Sequence, residues 1–384
     1  MGLELLYEKK EDSVKILRCF GETDEIWLPD QIEGLPVTEL GDYIFSEGMR
    51  TEPKGLLWRE NGEDEEISAP PVCGPSLRSV RLPAFLKRLG RYAFYNCDGL
   101  KRLAFPSAIR DIGAGAFNGC RKIEELTVEA DPREKSCLKE ILSELNETVA
   151  VHYRERGETG KKTLLAELLF PAFYEEAVEN TPARITETHV HGCGHRYRYC
   201  FENTQLLFRE YDSLFPYMKA QENVPEAVKL AADRLRFPLR LSREAESAYK
   251  LYLLDHLDET GEYIASLSDA AEWDWLVNQC FGIKRVEHAA AVWLGNEGLA
   301  GRAHEEYSNI KEPVLGKTGF DKLVETAGRL NQTEAVGILM EAGRRAFPPK
   351  RRTFELPASG VPQCGGFLHL RNQCLPEAFS APVS

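Results

Sequence analysis

Part of this chain repeats itself at a fixed interval of 23 residues, and that interval constrains the fold more than any other feature. LRSVRLPAFLKRLGRYAFYNCDG, from Leu77, aligns without a gap on LKRLAFPSAIRDIGAGAFNGCRK, from Leu100, and IEELTVEA opens a third copy at Ile123. Leu77, Leu100 and Ile123 correspond, as do Pro83 and Pro106, Leu89 and Ile112, Gly90 and Gly113, Phe94 and Phe117, and Cys97 and Cys120. A unit this short cannot bury its own apolar face, so the copies must stack as a solenoid. Leu77, Val80 and Leu82 stand at L-x-x-L-x-L spacing, which points alternate residues of a short strand inward. The proline ends the strand because it has no N–H for a further ladder bond. Leu86, Leu89, Ala93 and Phe94 then return along the other side as a turn or short helix. Phe94 and Phe117 are expected to stack in one internal column, with Cys97 and Cys120 as small apolar fillers beside it.

A degenerate earlier copy, EIWLPDQIEGLPVTELGDYIF, carries Ile26, Leu28, Pro29, Leu40, Gly41 and Phe45 in the same order. Between it and the next copy, residues 46–76 are rich in Gly, Pro and acid and read as a loop leaving the solenoid. Strands around Leu5 to Cys19 are expected to cap the open end. The pattern L-x-x-I-x-L-P followed by I-G-x-x-A-F-x-x-C resembles the BspA-like leucine-rich repeats common in bacterial proteins. That resemblance covers about the first third of the chain and implies a solenoid used for binding. Many members of that family are secreted and bind host or matrix proteins.

The chain has 384 residues, too many for one ordinary core. A net charge of −13 makes it a poor general binder of nucleic acid, whose phosphates need a basic face. Every apolar run is broken by charge well short of the ~20 residues of a membrane span. The start, MGLELLYEKKEDSVKIL, shows neither a secretory signal nor a myristoylation site, so a cytoplasmic location is expected. Ten scattered cysteines with no C-x-x-C pair then read as reduced, mostly buried thiols.

Charge is uneven across the repeats. From Leu77 to Lys122 there are ten bases and two acids, Asp98 and Asp111, a local excess of eight positive charges within an acidic chain. On the strands the outward positions are Ser79 and Arg81, then Arg102 and Ala104, then Glu125 and Thr127, with Arg78 and Lys101 at the rim. Arg78, Arg81, Lys101 and Arg102 are the candidate partner-binding residues, for an acidic protein or for the acidic loop at Glu63 to Glu66. The alternative is a solvated basic face.

Beyond the repeats, SCLKEILSELN places Leu138, Ile141, Leu142 and Leu145 at helical spacing. HVHGCGHRYRYCF holds His189, His191, Cys193, His195 and Cys200, all capable of binding zinc. The first four alternate, so in a strand they would share one face, but they lack the clustered spacing of structural zinc sites. They are expected not to converge on one ion, and to sit in a strand or hairpin with Tyr197, Tyr199 and Phe201 packed behind. A similar G-x-G-x-x-Y-R-x-C-F stretch followed by YDSLF links repeats to a helical tail in some bacterial leucine-rich-repeat proteins; Gly192, Gly194, Tyr197, Arg198, Cys200, Phe201 and Tyr211 to Phe215 resemble it. From Pro225 to Phe347 helical periodicity dominates. Segments around Leu294 and Leu330 align at an offset of 36, with Ala291 on Ala327 and Gly301 on Gly337, in a helix–turn–helix form similar to ankyrin-like hairpins.

The chain thus reads as α+β: a leucine-rich-repeat solenoid over 1–130, a mixed linker over 131–220, a helical hairpin domain over 221–347, and an irregular tail over 348–384. No G-x-S-x-G, H-E-x-x-H, G-x-G-x-x-G or kinase set is present, and GETGKK at 157–162 lacks the spaced glycines of a phosphate loop. The expected function is a protein-interaction scaffold with no catalytic residues and no cofactor. A metal-binding module built on the His189–Cys200 segment is the second possibility.

Overall fold

The computed structural model describes residues 2–59, 66–129, 135–155, 163–180, 185–282 and 314–347. The chain opens with an antiparallel hairpin, β1 (Glu4–Lys9) and β2 (Val14–Phe20). The degenerate copy follows as β3 (Glu25–Trp27), β4 (Gln31–Ile32) and β5 (Leu35–Leu40). β6 (Leu56–Arg59) lies in the expected loop and returns to pair antiparallel with β1. The insertion therefore extends the cap as well as leaving the solenoid. Its Leu57 packs against Leu6, Phe20 and Ala69, a small apolar cluster separate from the main core.

Each regular copy then supplies two short strands. These are β7 (Ser79–Arg81) and β8 (Arg88–Leu89), then β9 (Arg102–Pro106) and β10 (Asp111–Ile112), with β11 (Glu125–Glu129) opening the third. α1 (Leu138–Ser143) buries Leu138, Ile141 and Leu142, as their spacing predicts. β12 (Val149–Arg154) and β13 (Leu164–Phe170) follow. One sheet runs β13-β12-β11-β9-β7-β3 and the other β10-β8-β5-β2-β1-β6, with β4 on β5. Between β3 and β12 every neighbouring pair in the first sheet is parallel. The return side was expected to be a turn or short helix; it is a two-residue strand with tight turns. Tyr92 at φ 54° and Asn96 at φ 59° lie in the left-handed region, where a right-handed helix cannot propagate.

The aromatic column is present and longer than expected. Phe94 stacks on Phe117 at 5.1 Å and on Phe45 of the degenerate copy at 4.9 Å. All three rings are fully buried. The cysteines are more than fillers: the Cys97 thiol donates to the Phe45 carbonyl at 3.1 Å and the Cys120 thiol to the Phe94 carbonyl at 3.0 Å, and both are free. The backbone beside the column forms a ladder, with Phe45 N–H on Ala93 O at 2.9 Å and Phe94 N–H on Ala116 O at 2.8 Å. Phe117 N–H instead donates to the Glu144 carboxylate at 2.7 Å, where the column ends.

After β13 come the hairpin β14 (Tyr174–Asn180) and β15 (Ile185–His191), the short α2 (Gly194–Tyr197), and a small ribbon of β16 (Phe201–Glu202) and β17 (Gln205–Leu206). The helices are α3 (Phe208–Ser213), α4 (Phe215–Gln221), α5 (Val224–Arg236), α6 (Arg243–Asp255), α7 (Leu257–Ser266) and α8 (Ala270–Asp274). Beyond them lie α9 (Lys317–Arg329) and α10 (Thr333–Ala346). α9 and α10 form a helical hairpin whose turn holds Asn331 at φ 57°. The copy expected around Leu294 lies outside the described residues, as does the tail over 348–384.

In the stretch read as a mixed linker, the described residues pack on both neighbours. β12 and β13 extend the repeat sheet, α5 packs on β13, and the chain through Phe347 is one unit. Arg198 ties the junction. Its guanidinium is buried and donates to the carbonyls of Leu145 (2.8 Å), Glu147 (2.8 Å), Pro171 (2.6 Å), Gly194 (3.0 Å) and Leu142 (3.3 Å). The two glycines ahead of it explain the G-x-G pattern. Gly192 sits at φ 83°, and a Cβ on Gly194 would stand 2.0 Å from the Pro171 oxygen. Behind them Tyr211 bonds Leu169, while the Asp212 carboxylate takes Arg234 at 2.8 and 2.9 Å and the Tyr249 hydroxyl at 2.8 Å, all buried.

Candidate protein-binding face

The outward face of the first sheet is assembled by strand alternation and register. Ile26, Val80, Leu103, Leu126, Val151 and Leu168 align across the strands and point inward. The residues on either side therefore point out, in two rows. One row is Glu25, Ser79, Arg102, Glu125, Ala150 and Leu169; the other is Trp27, Arg81, Ala104, Thr127, His152 and Glu167.

Each of the four candidate bases meets an acid of this chain. Arg78 pairs with Asp24 at 3.3 Å, Arg81 with Glu129 at 3.1 Å, Lys101 with Glu124 at 2.9 Å and Arg102 with Glu25 at 2.5 Å. Arg102 reaches Glu25 two strands away over the small Ser79, and Arg81 reaches Glu129 over Ala104. The local positive excess is thus answered by acids outside the window in which it was counted. A solenoid sets residues of neighbouring coils side by side, so Asp24, Glu25, Glu124 and Glu129 flank bases that are 23 to 77 positions away along the chain. The three exposed pairs are worth little to stability. Arg81–Glu129 differs, because Glu129 is buried.

The acidic loop named as an alternative partner falls at residues 63–65 outside the described residues. The described Glu66 meets Arg59 through its carbonyl oxygen, not the candidate bases.

Towards the helices the face becomes a charge network. His152 lies between Glu125 (3.9 Å) and Glu167 (3.6 Å). Glu167 also meets Lys229 at 3.5 Å and Arg236 at 3.3 Å, and both cations contact the fully buried Asp233. Burial pushes the Asp233 carboxyl above its ordinary value, against the pull of Lys229. Arg236 continues to Glu272 at 2.6 Å.

At the opposite edge, on β3, stands Trp27. Its side chain is 70% exposed, and the Arg81 guanidinium lies 6.0 Å from the ring. Sequence reasoning did not single it out, although the signal was present: Ile26 and Leu28 of the degenerate copy point inward, so Trp27 between them must point out. His152 and Glu167 carry no repeat signature and could not be found that way.

The His/Cys segment is divided among three environments. His189 and His191 lie on β15, beside Glu187 (3.7 Å) and Glu176 (3.1 Å). The strand stops at His191, so the expected shared face does not extend to Cys193 and His195. Cys193 is buried against the Met218 sulfur at 3.8 Å. His195 packs in α2 between Phe173 and Tyr199. Tyr197 and Phe201 are buried but Tyr199 is exposed, so the three rings do not form the expected common back face. Among the described residues no group of three or more His, Cys, Asp or Glu side chains is arranged to hold a metal ion.

Residues 71–143 match the family model of the BspA type leucine rich repeat region. The repeat is of the BspA type. Two solved structures also match, each over 32% of this chain at 22% identity. One is a leucine rich cell surface protein from Faecalibacterium prausnitzii A2-165 (TM-score 0.22, 31% of that chain covered). The other is a T. pallidum leucine rich repeat protein (TM-score 0.17, 68% covered). No curated protein matches the chain. Leucine-rich repeats of this kind generally mediate protein–protein contacts. Among the described residues no helix is long and apolar enough to cross a membrane.

Proposed function

We propose that this chain is a protein-binding scaffold without catalytic activity or cofactor, and that its partner docks on the outward face of the repeat sheet. The observation that carries this reading is Trp27, a large indole left open at the edge of a polar, ion-paired face. Tryptophan and arginine dominate the energetics of protein interfaces, and here they adjoin. Arg78, Arg81, Lys101 and Arg102 form the polar surround. Because each is already paired, the partner is one of mixed charge that exchanges these ion pairs, rather than a uniformly acidic surface. The helical hairpin of α9 and α10, ankyrin-like in form, offers a second contact surface, and the proposed setting is the cytoplasm.

The test is quantitative affinity capture from the source cell with three baits: wild type, Trp27→Ser and Arg102→Glu. Both substituted side chains are exposed, so the fold is expected to tolerate them. A protein retained by wild type and reduced at least about tenfold on Trp27→Ser supports the reading, on the scale of an aromatic hot spot. Equal retention by all three baits places the partner elsewhere.

A further inference from the structure

The hairpin of β14 and β15 stands apart from both sheets. Among the described residues its strands pair only with each other, in antiparallel register from Tyr174 with His191 to Asn180 with Ile185. The side chains from Tyr174 to Glu179 and from Thr186 to Val190 are all exposed, including the apolar Tyr174, Val178 and Val190. A two-stranded ribbon with neither face covered is marginal in water. Each outer edge also offers backbone N–H and C=O groups to another strand.

The two edges differ in what a second copy would meet. Antiparallel two-fold pairing along β14 about Ala177 sets Glu175 opposite Glu179 of the partner subunit, twice over. Like charges directly opposite are unfavourable. The same operation along β15 about Thr188 sets Glu187 opposite His189 of the partner subunit, Thr186 opposite Val190 of the partner subunit, and Thr188 opposite its own counterpart. These pairs are complementary: the imidazole donates to the carboxylate whether neutral or protonated, and the β-branched pairs suit a pleated surface.

We propose that two copies of this chain associate through β15, forming a four-stranded sheet about a two-fold axis at Thr188. The outer β14 edges, with their opposed glutamates, stop further growth, so the assembly closes at two. This surface is separate from the Trp27 face and does not depend on it. A seven-residue edge falls short of the ~1,200 Å² that stable interfaces bury, so the dimer is weak and its population rises with concentration.

Sedimentation velocity on the full-length chain over a concentration series is the first measurement; a monomer at every concentration overturns the proposal. His189→Glu places like charges opposite one another at both symmetric positions, and Glu187→Lys removes at both the carboxylate that accepts from the imidazole. Each should raise the dissociation constant by roughly 2- to 30-fold, the effect of two cross-strand pairs. The double variant exchanges the charges and should restore wild-type association. If the double variant dimerises no better than the singles, the register is wrong. A cysteine scan fixes the axis independently of affinity. Thr188→Cys, opposite its own counterpart, should cross-link on mild oxidation. Thr186→Cys, four residues and ~13 Å from its counterpart, should stay at the wild-type level. Equal cross-linking at both positions would exclude the two-fold at Thr188.

Discussion

Arg198→Met would remove the side chain that joins the repeat sheet to the helices while keeping a similar apolar length. Five carbonyls accept from the guanidinium. Two of them retain a backbone donor: Leu142 O accepts from Leu145 N–H and Gly194 O from Arg198 N–H. The Leu145, Glu147 and Pro171 oxygens lose the donor that Arg198 supplies. A buried polar group left without its partner costs about 1–3 kcal/mol. Three such groups give roughly 3–9 kcal/mol, reduced because the variant no longer buries a charge. A net loss of roughly 3–5 kcal/mol is expected, in the lower half of that range. Burial pushes the Arg198 guanidinium down to about 10, so it is still charged at neutral pH, and Arg198→Lys is the conservative comparison. One ammonium cannot span carbonyls on three separate segments, however, so lysine should recover only part of the loss. The assay is urea unfolding followed by far-ultraviolet circular dichroism and tryptophan fluorescence, with hydrogen exchange to locate the weakened segments. A methionine variant within ~1 kcal/mol of wild type, or a lysine variant as stable as wild type, would refute the reasoning.

Phe94→Ala should cost roughly 3–5 kcal/mol in the same melt, because it empties the middle of the Phe45–Phe94–Phe117 column. Gly194→Ala forces a methyl against the Pro171 oxygen and should cost at least ~1–3 kcal/mol, with the loss in hydrogen exchange centred on residues 171 and 194. Site-resolved alkylation under native conditions should label Cys73 before Cys97 or Cys120 among the described cysteines; burial raises all three thiols, Cys120 to about 12, but Cys73 alone of them is partly exposed. Burial would raise the Asp42 carboxyl, but the hydrogen bonds and charge of Arg91 hold it below its ordinary 3.8. A depressed folded value means stability present above pH 3.8 and lost as the pH falls through the lowered value, so Asp42→Asn should flatten the acid limb of the melt below about pH 4.

The repeat was readable because its physics is local: one interval, one alternation and one proline set the strands, and identical positions then stack. The helices of the second half were readable for the same reason, from three- and four-residue apolar spacing. What escaped is what depends on neighbours distant in the chain. The bases at Arg81 and Arg102 looked unbalanced because Glu129 and Glu25 lie in other coils. β6 was hidden inside a segment whose composition says loop, and its role is set by an edge that β1 leaves open. The run from His189 to His195 looked like one strand face until Gly192, at a positive φ, ended the strand. Arg198 stood in a recognisable motif, yet nothing near it announces that its partners are carbonyls from residues 142 to 194.

Glu144 has a consequence for how long such a solenoid can be. Beside the aromatic column, Phe45 N–H and Phe94 N–H are each answered by a carbonyl of the next coil, so the coil that carries Phe117 presents the same N–H group as a template for one more. A carboxylate seated on Phe117 N–H occupies one rung of that template with an acceptor that offers no onward donor. The return side of the solenoid therefore ends at this residue, while the sheet side runs on through β12 and β13 to α5.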